Sequence, residues 1–282
     1  MNTSLSSGVS GNALGGYLTL ECARRKNGVS FISRQDFRVP IHIGKGHVDE
    51  GALVLNLSNP TAGFFDGDRV DLDITVTDGA RLVLSTPAAS RVYRTRSGKP
   101  AANFQKFTVG EEAFLEWIPE AFIPHADAAY EQTTRIHLAP SSSLLFFEWI
   151  APGRVASGEA FAYQNLRWEL DLRIGGNLIA RERFNLKPGD HSLSGLKSAF
   201  PKAHYLSLYA SGEMTQHWPA DAIDQLNSAT TLIGHGPLGD GVFVLRALCE
   251  DSRSTRRLLH DLRVLLYSAA KIAPPTLGRS IL

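Results

Sequence analysis

The side chains in this sequence best suited to metal or proton chemistry are its histidines: His42, His47, His125, His137, His191, His204, His217, His235 and His260. None is spaced as HExxH or HxH, so local spacing writes no closed metal site. The nearest pair, His42 and His47, brackets Gly44 and Gly46 and is expected in a loop. Exposed loop positions are the ordinary setting for such residues, and a weak, transient hold on a transition-metal ion is the alternative their chemistry allows. The only cysteines, Cys22 and Cys249, make neither a CxxC knuckle nor a disulfide framework.

Other chemistry-bearing patterns lack their context. Gly234-His235-Gly236-Pro237-Leu238-Gly239 has the letters of a dinucleotide fingerprint, but an apolar, strand-like run follows where a helix should begin. A glycine-rich loop before a strand is the expected structure. Ser194-Gly195-Leu196-Lys197 matches SxxK, yet the SDN and KTG elements of β-lactamase-like enzymes are missing. Neither GxxxxGK[ST] nor GxSxG occurs. The segment Arg91–Arg96 is basic and carries Tyr93, which suits a protein contact or a solvated strand end.

Most of the elements that must position these residues are strands. Val70–Thr77 alternates apolar and polar residues strictly, as a strand with one buried face does, and Asp78-Gly79 predicts a tight hairpin returning through Arg81–Ser85. Leu166–Ile174 alternates likewise, and Gly175-Gly176 turns it back through Leu178–Phe184. Further strands are expected at Ala52–Leu57, Phe104–Val109, Ala113–Ile118, Thr134–Leu138, Leu144–Ile150 and Gly241–Leu248. Ala220–Asn227 reads as a short helix and Ser252–Lys271 as the one long helix, capped by Asp251 or Ser252 and stopped by Pro274-Pro275. No βαβ rhythm and no fixed repeat appear, so the expectation is a mainly β fold of largely antiparallel strands with a few helices. It is expected as a single elongated β-rich domain over 17–282, behind a flexible Ser/Gly-rich leader at 1–16.

Bulk composition narrows the function. The 282 residues carry 29 basic and 28 acidic side chains, a net charge of +1, so no long-range field favours nucleic acid or an anionic membrane. Leu144–Ile150 is too short to cross a bilayer and contains Glu148. A cytoplasmic protein that works on another protein is the expectation.

Asn59-Pro60-Thr61-Ala62-Gly63-Phe64-Phe65-Asp66-Gly67-Asp68-Arg69 describes an irregular, backbone-crowded loop that launches a strand. It resembles the NPGGGxxGGDR signature of the UreD (also UreH) family of urease accessory proteins, with Thr61, Ala62 and Asp66 replacing glycines. The likeness continues in order. Ser85–Arg94 is similar to the family's threonine–alanine–Tyr-Arg segment, Leu115–Glu120 to its LEWLP element, and Gly153–Phe161 to its GRxAxGExF element. Gly241–Arg246 and Arg256–Leu266 resemble its closing strand and helix. The tail, Thr276–Leu282, departs from the Pro-Arg-Ile-Trp-like ending common in the family.

The resemblance implies a mainly β scaffold, not an enzyme, that binds the urease apoprotein and pairs with UreF. Together these recruit the GTPase UreG for Ni²⁺ delivery. No cofactor is held tightly, and nickel passes transiently. Oxygen ligands along such a path would come from carboxylates in the matched segments: Asp68, Glu116 and Glu159. Each has a structural alternative: Asp68 capping its loop, Glu116 bonding backbone before Pro119, Glu159 pairing with Arg154. Arg91, Tyr93 and Arg94 are the candidate partner contacts. Two other readings are a β-sheet carbohydrate-active enzyme or lectin, suggested by Trp117, Trp149 and Trp168, and a UreD paralogue serving another metalloenzyme.

Overall fold

The computed structural model describes residues 13–59, 63–189 and 193–277. Most of the anticipated leader, residues 60–62 of the family-like loop, His191 and the tail from 278 lie outside the described residues. The chain opens with an antiparallel pair, β1 (Gly15–Arg24) and β2 (Ser30–Arg38). Two short strands, β3 (His42–Ile43) and β4 (His47–Asp49), lie against β5 (Ala52–Ser58), so the His42–His47 segment is more extended than a loop.

From there the chain coils. It alternates between two sheets through β6 (Arg69–Val76), β7 (Arg81–Ser85), the short β8 (Ser90–Val92), β9 (Ala101–Val109), β10 (Phe114–Ile118), the short β11 (Phe122–Pro124), β12 (Ala129–Leu138) and β13 (Ser143–Ile150). A small hairpin, β14 (Gly153–Arg154) and β15 (Glu159–Ala160), precedes β16 (Asn165–Ile174) and β17 (Asn177–Leu186). The last part comprises α1 (Ser194–Ala199), β18 (His204–Ser211), α2 (Ala220–Asp224), β19 (Thr231–Gly239), β20 (Val242–Cys249) and α3 (Ser252–Ala270). One sheet runs β17-β16-β12-β9-β6-β1-β2, and the other β19-β20-β18-β13-β10-β7-β5-β3 with β4, β8 and β11 attached.

The fold is mainly β with few helices, as expected, but the expectation of largely antiparallel pairing is overturned. β6, β9, β12 and β16 pair in parallel, and so do β5, β7, β10 and β13. The result is a β-solenoid with mixed sheets. The Asp78-Gly79 hairpin is the instructive error. Of those two residues only Gly79 has positive φ (67°), whereas Gly175 and Gly176 both do (54° and 90°) and close the antiparallel β16–β17 hairpin as anticipated. Residues 77–80 therefore form a corner that carries the chain to the opposite sheet. The corners 110–113 and 139–142 stack on it through Gly79 N–H to Glu111 C=O (2.8 Å), Glu111 N–H to Asp78 Oδ1 (2.9 Å) and Glu112 N–H to Ser141 Oγ (2.9 Å). Gly234–Gly239 belongs to β19 itself, and Asp240-Gly241, both at positive φ (48° and 72°), turn it into β20.

The alternation along each strand sorts side chains into two cores. Leu18, Ile74, Phe107 and Leu170 from one sheet meet Leu82, Leu115 and Phe146 from the other between the sheets. The opposite face of the second sheet packs Val83, Phe114, Leu145, Phe147 and Trp149 against Leu258, Leu262 and Leu266 of α3. β10 and β13 are thus covered on both faces, and every residue in them is buried. α3 is capped as expected, by Asp251 accepting from Ser254 N–H at 2.7 Å, and ends at Ala270 with Lys271 in the left-handed region.

Glu116 alternates with Leu115 and Trp117 and so faces α3. It is fully buried, and Arg263 meets it with two bonds, Nε to Oε1 at 2.6 Å and Nη2 to Oε2 at 3.0 Å. Tyr267 Oη donates to Oε2 at 2.8 Å, and Arg263 Nη2 also reaches the Pro275 carbonyl at 2.8 Å. This pair, rather than the backbone before Pro119, fixes the helix on the sheet. Because removing one member strands the other charge in a dry core, Arg263→Ala is expected to cost about 3–5 kcal/mol. Glu116→Leu/Arg263→Met should recover most of that loss, both read from urea denaturation midpoints.

Candidate functional site

Between the two sheets the packing is interrupted by a polar band. On the inward face of one sheet, alternation places Asn103 and Gln105 on β9, Tyr130, Gln132 and Thr134 on β12, and Trp168 on β16. Opposite them, β13 turns Leu144, Phe146 and Ile150 inward, and with them Glu148, which is only 4% exposed. These groups bond continuously. Thr134 Oγ1 donates to Gln105 Oε1 (3.3 Å), Tyr130 Oη to Gln132 Oε1 (3.1 Å), and Gln132 Nε2 to Glu148 Oε1 (3.3 Å). Trp168 Nε1 donates to the same Glu148 oxygen at 2.8 Å, while Ser207 Oγ approaches Oε2 at 3.4 Å. Asn103 Oδ1 is buried without a hydrogen-bond partner.

Beyond Ser207 the band continues to Glu182, the inward residue of β17. Tyr205 Oη (2.9 Å), Tyr209 Oη (2.6 Å) and Arg246 Nη2 (2.7 Å) all donate to it. Ser207 and Arg246 face each other across β18 and β20. A cavity of about 140 Å³ is lined by Glu148, Gln132 and Trp168 and also by Ser58, Asn59, Thr86, Arg91 and Glu120. A water needs roughly 10–15 Å³ of such volume, so the space has room for several waters.

The electrostatics of Glu148 are unusual. Among the described residues no basic side chain reaches it within ion-pair distance. Burial pushes its carboxyl up to about 7, against the opposing pull of the Trp168 hydrogen bond, and Glu182 raises it further while Arg246 lowers it. A buried carboxylate with no ion-pair partner among the described residues favours its protonated form.

The anticipated site residues lie around this band rather than in it. Asp68 is buried and caps its loop, Oδ1 accepting from Leu14 N–H and Oδ2 from Phe65 N–H, each at 2.8 Å. Gly63, at φ 148°, lets this loop press on Arg91, whose carbonyl oxygen is 2.5 Å from where a Cβ would sit. Glu159 pairs with Arg154 through Nε and Nη2 of the guanidinium and accepts from Ala126 N–H at 3.1 Å; the Arg154 pairing holds its carboxyl below the usual range. Glu116 lies on the other face of its sheet, under α3. Arg91 lines the cavity, Tyr93 stacks on Phe65 (4.7 Å) and meets His125 edge-on (4.6 Å), and Arg94 pairs with Asp127 at the surface (3.0 Å). The three tryptophans are buried, so none offers an open stacking face for a sugar.

Among the described residues no group of three or more His, Cys, Asp and Glu could hold a metal ion, and no helix is long and apolar enough to cross a membrane. His204, pulled down to about 4 by burial, accepts the Trp149 indole hydrogen at 3.0 Å, and His235 bridges Trp218 and Asp224. Glu148 and the inward amides escaped the sequence reading, although a signal was present. A single glutamate sits inside an otherwise apolar run, and polar residues occupy the inward positions of β12 beside its apolar ones.

A family model described as UreD urease accessory protein matches residues 15–279. The urease accessory protein UreD of Opitutus terrae is 32% identical over 259 residues, 90% of this chain and 94% of that protein. That of Herpetosiphon aurantiacus is 28% identical over 277 residues, 94% and 96% of the two chains. That of Pseudomonas savastanoi pv. phaseolicola is 31% identical over 248 residues, 85% and 83%.

The raised pKa of Glu148 fixes a sign. Between about 4.5 and 7 the folded chain keeps a proton that the unfolded chain has lost, so stability falls as pH rises through that window. Glu148→Gln removes this burden. The variant should exceed the parent by about 1–3 kcal/mol at pH 8, with the gap closing toward pH 5, in urea titrations at both pH values.

Proposed function

We propose, from the premise that this chain belongs to the UreD family of urease accessory proteins, that it is a cytoplasmic scaffold passing Ni²⁺ through its interior toward the urease apoprotein. UreF and the GTPase UreG are its working partners in this reading, and the nucleotide chemistry rests with UreG. The observation that carries the proposal is the hydrogen-bonded polar band between the sheets, with a carboxylate at its centre that lacks a counter-ion.

A conduit has to bind its cargo weakly enough to release it. One carboxylate, a few neutral amide and hydroxyl oxygens and a water-holding cavity do this, whereas a full set of imidazole or thiolate ligands would trap the ion. The glutamine and threonine side chains can replace part of a hydration shell without adding charge. Tyr205, Tyr209 and Arg246 hold Glu182 as a second, already neutralised carboxylate further along. In this scheme Asp68, Glu116 and Glu159 frame the passage: Asp68 and Glu159 order the loops, and Glu116 anchors α3. The Arg91–Arg94 segment, at the mouth, is the proposed partner contact.

The test is urease activation in cells supplying the other accessory proteins. Glu148→Gln should lower nickel per urease active site several-fold while leaving co-purification with UreF and urease apoprotein intact. Asp68→Asn and Glu159→Gln should instead weaken the folded scaffold and its complexes together. Full nickel loading by Glu148→Gln would remove the residue from the path.

A further inference from the structure

Two of the four arginines on α3, Arg256 and Arg263, lie two turns apart and each meets a carboxylate in or just after β10, but the pairs differ in kind. Arg263 is 6% exposed, makes two bonds to Glu116 and is backed by Tyr267 and the Pro275 carbonyl. Arg256 is 46% exposed and reaches Glu120 through a single bond, Nη2 to Oε2 at 2.7 Å, while the Glu120 side chain is only 8% exposed. The first is an anchor. The second has the weakness of a surface pair, with a half-solvated guanidinium that is free to leave.

Glu120 also lines the cavity that holds Glu148, beside Thr86, whose Oγ1 accepts the Glu120 N–H at 2.8 Å. Trp149, which lines the same cavity, has the Arg256 guanidinium 5.6 Å from its ring centre and is held on its indole nitrogen by His204. Arg256 thus contacts two residues that line the cavity, Glu120 and Trp149, and supplies the positive charge that the buried Glu120 carboxylate needs.

We infer that Glu120 is the docking carboxylate for a hydrated divalent cation at the cavity mouth, and that Arg256 is a displaceable latch occupying it until the cation arrives. This rests on reading the interior as a cation path. The exchange needs no other movement of the fold: the guanidinium swings into solvent from a helix that Arg263 keeps in place, and the cation takes its position between Glu120 and the cavity waters. A divalent ion gains more from the buried Glu120 carboxylate than a singly bonded guanidinium does.

The test titrates the purified full chain with Ni²⁺ by equilibrium dialysis. Arg256→Gln should bind Ni²⁺ about three- to fivefold more tightly than the parent, the size expected when a pair of this exposure stops competing. Glu120→Gln/Arg256→Gln should lose that gain. Unchanged affinity in Arg256→Gln, or a gain that survives in the double variant, overturns the latch. Repeating the comparison in a Glu148→Gln background separates the two readings: the Arg256→Gln gain should persist there even if Glu148 plays no part in transport. In the unmodified chain, saturating Ni²⁺ should accelerate phenylglyoxal labelling of Arg256, mapped by peptide mass spectrometry. An unchanged labelling rate counts against displacement and does not depend on any variant folding.

Discussion

A charge taken out of water must be matched by another charge, by hydrogen bonds, or by a proton, and the interior of this protein is ordered by how three glutamates meet that demand. Glu116 is matched by Arg263 and Tyr267, which fastens the one long helix to the second sheet. Glu182 is matched by two tyrosines and Arg246. Glu148 is matched only by neutral donors, and burial lifts its carboxyl to about 7. The solenoid makes this arrangement tolerable. Parallel strands stacked in register with fixed corners give a rigid wall on each side, so an unbalanced carboxylate can persist between them without collapsing the core.

That architecture explains how one set of strands can build both an apolar core and a buried polar band. Strand alternation sends neighbouring residues to opposite faces, so β10 and β13 each serve two layers. Glu116 on one face holds the helix, and Glu148 on the other lines the cavity. The helix in turn brings Arg256 to Glu120, which also lines the cavity. Helix anchor and polar cavity are two consequences of the same register.

Much of this was legible in the sequence. Strand positions, the β16–β17 hairpin, the closing helix with its Asp251 cap and the family likeness from Asn59 to Leu266 could all be read from residue patterns. Pairing direction could not be read as it was. Asp78-Gly79 does mark a reversal, but a four-residue corner and a two-residue hairpin share that dipeptide, and only the backbone at Asp78 tells them apart. A better signal lay in Leu82-Val83-Leu84, Phe114–Ile118 and Leu144–Ile150. Their continuous burial is the mark of strands covered on both faces, as parallel sheets are. The stacked residues Arg69, Ala102, Glu131 and Arg167 are unequally spaced, which hid the coil from a search for a fixed repeat. The carboxylates of the family-like segments drew notice because they sit in recognisable motifs, yet those motifs chiefly mark loops and anchors. Glu148 lies in a plain apolar strand, and its polar surroundings come from tertiary neighbours contributed by β12, β16 and β18.

The central claim is that a cation can rest beside Glu148 between the sheets. Crystals of the protein soaked in Ni²⁺ and measured at the nickel absorption edge test it most directly. An anomalous peak in the cavity within coordination or water-bridged distance of the Glu148 carboxylate, lost in Glu148→Gln, is the expected result. Peaks confined to surface histidines such as His42, His47 and His260, with the cavity filled by water alone, would contradict it.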